Sequence, residues 1–434
     1  MRRELPVIRR RPHERRQPAR DATLLLVQLH FLDLAEDRVR VGVRLVGLPA
    51  PGEHRVRRQL AALLQGDAHS SAPCEEDQAC KQQLRELIAG YADAPTEDVY
   101  LFPNGMSAVQ MSLLLTRNQT REHTARNLRG TKTVQYGSAY LDSLRLQQAP
   151  FAESLFFPIP DEGAFSALEQ RLRGGDRYDA ILAEFPGNPL LSTPDLCKLR
   201  AITDQYAVPL IIDDTLGALT NTQVLPYADI VTTSLTKYFS GHANVMGGSL
   251  MLNRKSPFHS QYTERLHGVR PKKKRLYHDT LWSADAAVLL QQGKEVPERV
   301  DAINRVTASL VAWLRQNQQR FGIQAIHYCD DAQGSQAGWK DGAGRGGVFS
   351  LVLEEPGGGF VRTEKLYNAL AMFKAASFGA EFSIACAYPM LAHFQELQKV
   401  QERYGFPPQL LRFSIGRESL EDLQRVFERA MVAS

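Results

Sequence analysis

Lys237 lies in Ser234-Leu235-Thr236-Lys237-Tyr238, just after an apolar run through Ile230 and Val231. Ser240-Gly241-His242 follow it. An amine at the end of a buried strand is costly to desolvate unless it has a task. Two hydroxyls, Ser234 and Thr236, lie within three residues of it, and Asp213 and Asp214 close another apolar run upstream. Together these are the parts for attaching pyridoxal phosphate. The amine takes the aldehyde, the hydroxyls take the phosphate, and a carboxylate takes the pyridinium nitrogen. A lone lysine after a strand is usually a surface residue, so the reading rests on its neighbours.

Phe102-Pro103-Asn104-Gly105-Met106-Ser107-Ala108 reads as a strand, a glycine turn and a helix start. Unpaired amides at such a start bind phosphate, and Gly105 lets the backbone come close. The plain alternative is an ordinary helix cap. Tyr136-Gly137 follows another strand, where an aromatic face could stack on a flat ring or simply fill the core. Glu184-Phe185-Pro186-Gly187-Asn188-Pro189 is a rigid turn, and Asn188 could donate to a phenolate oxygen or only shape the turn. Asp213 ends Ile211-Ile212-Asp213, and a buried carboxylate there needs a partner or caps a helix. Two patterns are discounted. Ser234-x-x-Lys237 has no Ser-Asp-Asn or Lys-Thr-Gly companion. Gly342-x-Gly344-x-x-Gly347 precedes a strand instead of following one, so it reads as a loop.

The elements that would position these residues follow from apolar runs. Strands are expected at Val99–Phe102, Thr133–Tyr136, Ser154–Pro158, Ala180–Glu184, Pro209–Asp213, Ile230–Ser234 and Gly248–Leu252. Helical spacing falls at Met106–Leu115, Tyr140–Gln147, Ala164–Leu172 and Pro194–Gln205. This alternation predicts an α/β fold with a mostly parallel sheet and helices on both faces. Ligands of such sheets bind beyond the carboxyl ends of the strands. Asn104, Tyr136, Asn188, Asp213 and Lys237 all fall at or just after a strand end, which points to one site. A long helical region over Ser283–Gln316 leads to a smaller C-terminal α/β domain. There, strands are expected at Gly347–Glu354 and Leu411–Ile415, with helices at Thr363–Lys374 and Ser419–Met431. The expected division is a divergent, partly disordered N-terminal arm (1–95), a cofactor-binding large domain (96–282), and a linking helix with a small domain (283–434).

The chain has 434 residues, 43% apolar and 23% charged, an ordinary globular balance. No run approaches the roughly 18 apolar residues of a membrane span. Residues 1–20 carry eight arginines against Glu4 and Glu14, a net of +6 that leaves the remainder near −2. A basic tail on a near-neutral body does not indicate a nucleic-acid partner. The tail lacks serine and carries two acids, so it reads as a disordered arm better than as a targeting presequence. The five cysteines are odd in number and fit no zinc spacing, so no metal is expected and reduced thiols in a cytoplasmic protein are the simplest account.

Taken together these segments resemble the Cys/Met-metabolism family of pyridoxal-phosphate enzymes, whose fold is the aspartate-aminotransferase-like fold type I. Within it the chain looks most like the fungal cystathionine γ-synthases. The resemblance rests on Phe102–Met106, Glu184–Pro189, Leu225-Pro-Tyr-Ala-Asp229, and Ser234–Gly248 with Asn244-Val-Met-Gly-Gly248. It runs from about Asp98 to the C-terminus. It implies that Lys237 is the Schiff-base lysine and proton shuttle. Asp213 would hold the pyridinium nitrogen. Tyr136 would stack on the ring and assist leaving-group departure. Gly105, Met106, Ser234 and Thr236 would bind the phosphate, and Asn188 the ring oxygen. Arg412 would clamp the substrate carboxylate through its fork, helped by Ser383.

The family usually has Asn where this chain has Asp214, and many members have an acid where this chain has Phe382, which implies a less polar distal pocket. The neighbour-supplied Tyr-x-Arg or Ser-Arg-Arg phosphate segment has no clear counterpart, with Arg55, Arg57 and Arg58 the nearest candidates. The implied activity is γ-replacement on an O-acyl-L-homoserine, on small-molecule amino-acid substrates, by a homodimer or homotetramer. Alternatives are a carbon or amine nucleophile in specialised metabolism, a β- or γ-lyase, or an inactive paralogue that assembles with an active relative.

Overall fold

The computed structural model describes residues 75–117, 131–148, 152–268, 275–329 and 336–434. Arg55, Arg57, Arg58 and most of the expected N-terminal arm lie outside them.

The first sheet is built from β1 (Val99–Phe102), β2 (Lys132–Tyr136), β3 (Glu153–Phe157), β4 (Ala180–Glu184), β5 (Leu210–Asp213), β6 (Ile230–Ser234) and β7 (Gly248–Leu252). Its order is β1-β7-β6-β5-β4-β2-β3. Strands β3, β2, β4, β5 and β6 run parallel, and β7 is antiparallel to both of its neighbours. All five residues of β4 and of β7 are buried, as expected for strands covered on both faces. The helices before and between these strands are α1 (Glu75–Ala92), α2 (Gly105–Thr116), α3 (Leu141–Gln147), α4 (Glu162–Arg173) and α5 (Leu196–Tyr206). Each expected strand and helix of this region is present, with ends shifted by up to two residues.

After α6 (His259–His267) the chain forms α7 (Ser283–Gly293) and α8 (Val296–Gln316). The single helix expected over Ser283–Gln316 is therefore two. The chain breaks at Lys294 and Glu295, and Pro297 sits in the first turn of α8, where its missing N–H costs nothing. Helix α8 belongs to two cores at once. Val296, Val300 and Ile303 pack with the large sheet, whereas Leu310, Val311 and Leu314 pack with the small one. Each such side chain contributes about 1.5–3 kcal/mol on burial.

The second sheet contains β8 (Ile323–His327), β9 (Val348–Leu353), β10 (Phe373–Lys374), β11 (Ile384–Cys386) and β12 (Leu411–Ser414), ordered β10-β11-β12-β9-β8. The sequence gives no clear sign of β8 or of the three-residue β11. The helix expected over Thr363–Lys374 is α9 (Val361–Ala369), which stops where Leu370 turns extended, and β10 follows. Three more helices, α10 (Tyr388–Ala392), α11 (Val400–Tyr404) and α12 (Leu420–Ala433), complete this part. Among the described residues no helix is long and apolar enough to cross a membrane.

Candidate active site

A cavity of about 440 Å³ opens beyond the carboxyl ends of β4, β5 and β6. Its lining includes Gly105, Met106, Asn188, Asp213, Ser234, Thr236, Lys237 and Arg412. Eight of the ten residues expected from sequence thus meet in one place. Tyr136 and Ser383 do not line it.

The phosphate end is built from glycine. Asn104 caps α2 by accepting from Ser107 N at 2.9 Å, which leaves the other first-turn amides without helical carbonyls. A Cβ on Gly105 would lie 2.7 Å from Ser234 Cβ. A Cβ on Gly248 would strike the Asn104 carbonyl. Both positions therefore need glycine to bring the α2 start against the Ser234 segment. Ser234 N donates to Thr215 Oγ1 at 2.8 Å, and Thr236 Oγ1 accepts from Gly247 N at 3.2 Å, so both hydroxyl-bearing residues are fixed through their surroundings. A helix start, two hydroxyls and a floor that tolerates no side chain fit the phosphate of pyridoxal phosphate.

Lys237 Nζ donates to Ser377 Oγ at 3.0 Å and lies 5.1 Å from the Phe378 ring centre. Burial, then the Arg412 guanidinium, lowers its pKa to about 8. Behind it, Arg299 of α8 reaches the carbonyls of Tyr238 (3.3 Å) and Phe239 (2.8 Å). Its side chain fills the space a Cβ on Gly241 would need, and Gly241 has φ +73°.

Asp213 ends β5, and its Oδ1 accepts from Thr215 N at 2.9 Å. It sits in register with Glu184 on the neighbouring parallel strand. Burial raises both carboxyls, and for Glu184 the charge of Asp213 adds to it. Glu184 lines the cavity too, a residue the sequence displayed but whose role was not read from it. Asp214 faces away, accepting from Thr222 Oγ1 at 2.6 Å, and burial lifts it to about 7.

Alternation along β12 turns Leu411 and Phe413 into the small core and Arg412 toward the cavity. Arg412 is buried. It donates from Nη1 to Asn188 Oδ1 at 2.8 Å and from Nη2 to Ser377 O at 3.0 Å, and stacks near Phe378 and Tyr388. Its Nε is buried with no acceptor. Asn188 Nδ2 donates to Tyr388 Oη at 3.0 Å.

Three expectations are corrected. Tyr136 is 3% exposed, packs edge-on against Phe157, and donates to Asp161 O at 3.3 Å, so its ring belongs to the core. Tyr140, four residues on, lines the cavity instead. Ser383 donates from N and Oγ to the Glu418 carboxylate at 2.6 and 2.9 Å, on the far side of the small sheet's loop. Ser377 takes the place beside Arg412 and Lys237. Phe382 pairs with Phe373 at 4.7 Å and is not part of the cavity wall, so it does not tune the pocket's polarity.

The family described as Cys/Met metabolism PLP-dependent enzyme matches residues 78–432. The chain is 31% identical over 382 residues to a cystathionine gamma-synthase of Neurospora crassa, covering 88% of this chain and 59% of the relative. It is 31% identical over 424 residues to the cystathionine gamma-synthase-like enzyme iboG1 of Amanita muscaria, covering 90% of this chain and 66% of that protein. The chain thus spans less than two thirds of the length of these curated relatives. Cystathionine gamma synthase from Xanthomonas oryzae superposes with a TM-score of 0.67 at 20% identity, over 82% of this chain and 86% of that one, a likeness of fold. The two-sheet α/β architecture is the expected fold type I, and pyridoxal phosphate is the family's cofactor. With a match over residues 78–432 and relatives above 30% identity, the chain belongs to the Cys/Met-metabolism family of pyridoxal-phosphate-dependent enzymes.

Proposed function

We propose that the protein carries out γ-replacement on an O-acyl-L-homoserine in the manner of a cystathionine γ-synthase. The observation that carries this reading is Arg412. It is a buried guanidinium with no carboxylate in ion-pair range among the described residues, on the same cavity as Lys237. An amino-acid carboxylate supplies the acceptors it lacks.

Pyridoxal phosphate, when bound, supplies the electron sink for breaking the Cα–H bond. Gly105 and Met106, with Ser234 and Thr236, hold its phosphate. Asp213 keeps the ring nitrogen protonated. Asn188 has one amide hydrogen left for the ring oxygen after serving Tyr388. Lys237 would bind the aldehyde carbon and, when free, would move protons at substrate Cα and Cβ. Ser377 Oγ holds the amine within reach. Tyr140, on the cavity wall, would cover the ring face and assist departure of the γ-substituent. Residues 96–282 form the cofactor-binding part and 283–434 the linking helices and small domain. The working form is a cytoplasmic homodimer or homotetramer.

The test is mass spectrometry of products from O-acetyl-homoserine with pyridoxal phosphate, with and without cysteine. Cystathionine formed only with cysteine supports the reading. No turnover of O-acyl-homoserines at all would sink it.

A second reading keeps the same first half-reaction and changes the nucleophile. The outer wall of the cavity is apolar and open, with Tyr140, Met246 and Leu391 exposed by 46, 45 and 54%. A carbon or amine nucleophile in specialised metabolism suits that wall, and the Amanita relative carries a synthase-like name. Formation of 2-oxobutanoate without cystathionine favours this reading.

A further inference from the structure

Glu184 is the last residue of β4 and is 7% exposed. Its side chain meets backbone from two separate segments. Oε1 accepts from Tyr140 N at 2.5 Å, and Oε2 accepts from Asn188 N at 3.1 Å. The two segments enter from different sides: Tyr140 precedes α3, and Asn188 lies in the turn after β4. Asn188 in turn orients the Arg412 fork through its Oδ1. One carboxylate therefore stands between Tyr140, proposed to cover the ring, and Asn188, which orients Arg412.

Its chemistry suits that place. Both oxygens accept from backbone N–H donors, one on each side, which a carboxyl group can do and a side-chain amide cannot. An amide in its place would aim an N–H₂ at one backbone N–H and break that bond. The carboxylate also stands beside Asp213, in register on the next strand, which opposes its ionisation.

We propose that Glu184 is a positioning residue that locks the Tyr140 backbone to the Asn188 backbone and so sets the spacing between the ring cover and the Arg412 carboxylate site. The clamp rests on geometry, whereas its catalytic meaning rests on the function proposed above.

The test is Glu184→Gln in the full chain, first without added cofactor. Hydrogen exchange is followed in peptides holding Tyr140 and Asn188, with a peptide from α12 (Leu420–Ala433) as control. Loss of one clamp bond should speed exchange about tenfold in the affected peptide and measurably in its partner, leaving the control unchanged. With pyridoxal phosphate and O-acetyl-homoserine, kcat should then fall about tenfold or more while cofactor binding is retained. Should the Gln variant fail to fold, Glu184→Asp, which keeps the carboxyl but is too short to span both segments, is read the same way. Unchanged exchange at both segments, or equal acceleration in the control, would overturn the clamp. A wild type that turns over no O-acyl-homoserine removes the function reading, and the exchange result still decides the clamp.

Discussion

Lys237 Nζ and Ser377 Oγ lie 3.0 Å apart although 140 residues separate them, one on the loop after β6 and the other on the loop before β11. The Lys237 amine of the large sheet is thus held by a hydroxyl of the small one. The same loop also accepts from Arg412 through Ser377 O, so Lys237 and Arg412 share one neighbour.

The first expectation concerns the amine itself. Its pKa is about 8, lowered from 10.5 by burial and then by Arg412. Only the unprotonated amine attacks an aldehyde. The rate at which added pyridoxal phosphate turns the protein yellow should therefore rise about tenfold per pH unit and level off near pH 8. Arg412→Met should move the levelling point to higher pH, since removal of the cation relieves the amine. Lys237→Ala should give no yellow adduct at any pH. Stopped-flow absorbance checks all three, and a wild-type break near 10.5 would contradict the assignment.

Tyr140 and Tyr136 make opposite forecasts. Tyr140→Phe keeps the ring but loses the hydroxyl at the proposed leaving-group position, so kcat should drop about tenfold or more. Tyr136→Phe loses only a bond to Asp161 O, about 1 kcal/mol of stability. Steady-state kinetics beside thermal melting separates the two. A large kcat loss in Tyr136→Phe alone would return the role to that residue.

Arg412→Lys retains charge but loses the planar fork that Asn188 and Ser377 hold in place. A charged hydrogen bond is worth about 1.5–3 kcal/mol, so kcat/KM for O-acetyl-homoserine should fall roughly 10- to 100-fold. The loss should appear mainly in KM, with absorbance of the bound cofactor unchanged.

Asp214 bears on stability more than on chemistry. Burial lifts it from 3.8 to about 7, so the folded state holds a proton that the unfolded state has lost. Between those values stability falls as pH rises, and above pH 7 the full cost is present. Asp214→Asn keeps an oxygen for Thr222 and removes that cost. Its melting temperature should exceed wild type by several degrees at pH 8, by less at pH 5, and converge with it near pH 4. A gain equal at all pH values would show that the charge is not the cause.

Much of this site was legible because strand ends are legible. Lys237, Asp213, Asn188 and the Gly105 turn each follow an apolar run, and the parallel sheet brings such ends together. The errors lie where the choice is between two like residues in one loop. Tyr136 and Tyr140 flank Gly137, and which ring enters the cavity depends on the last pleat of β2. That pleat aims Tyr136 at Phe157. Ser377 and Ser383 are six residues apart, and only the distant Glu418 decides that Ser383 is already occupied. The three-residue β11 beside them is too short to show a period. Glu184 stood in plain view within its turn, but its double acceptance needs Tyr140 folded back beside it.

Arg299 fills the space above Gly241 and pins the carbonyls just past Lys237, so the floor of the cavity has no slack. The rim is the reverse, with Met246 and Leu391 exposed. A protein built this way can change its customers without retooling. If the γ-replacement proposed above holds, a different second substrate could be met by changing Met246 or Leu391 while the segment behind Lys237 stays as it is.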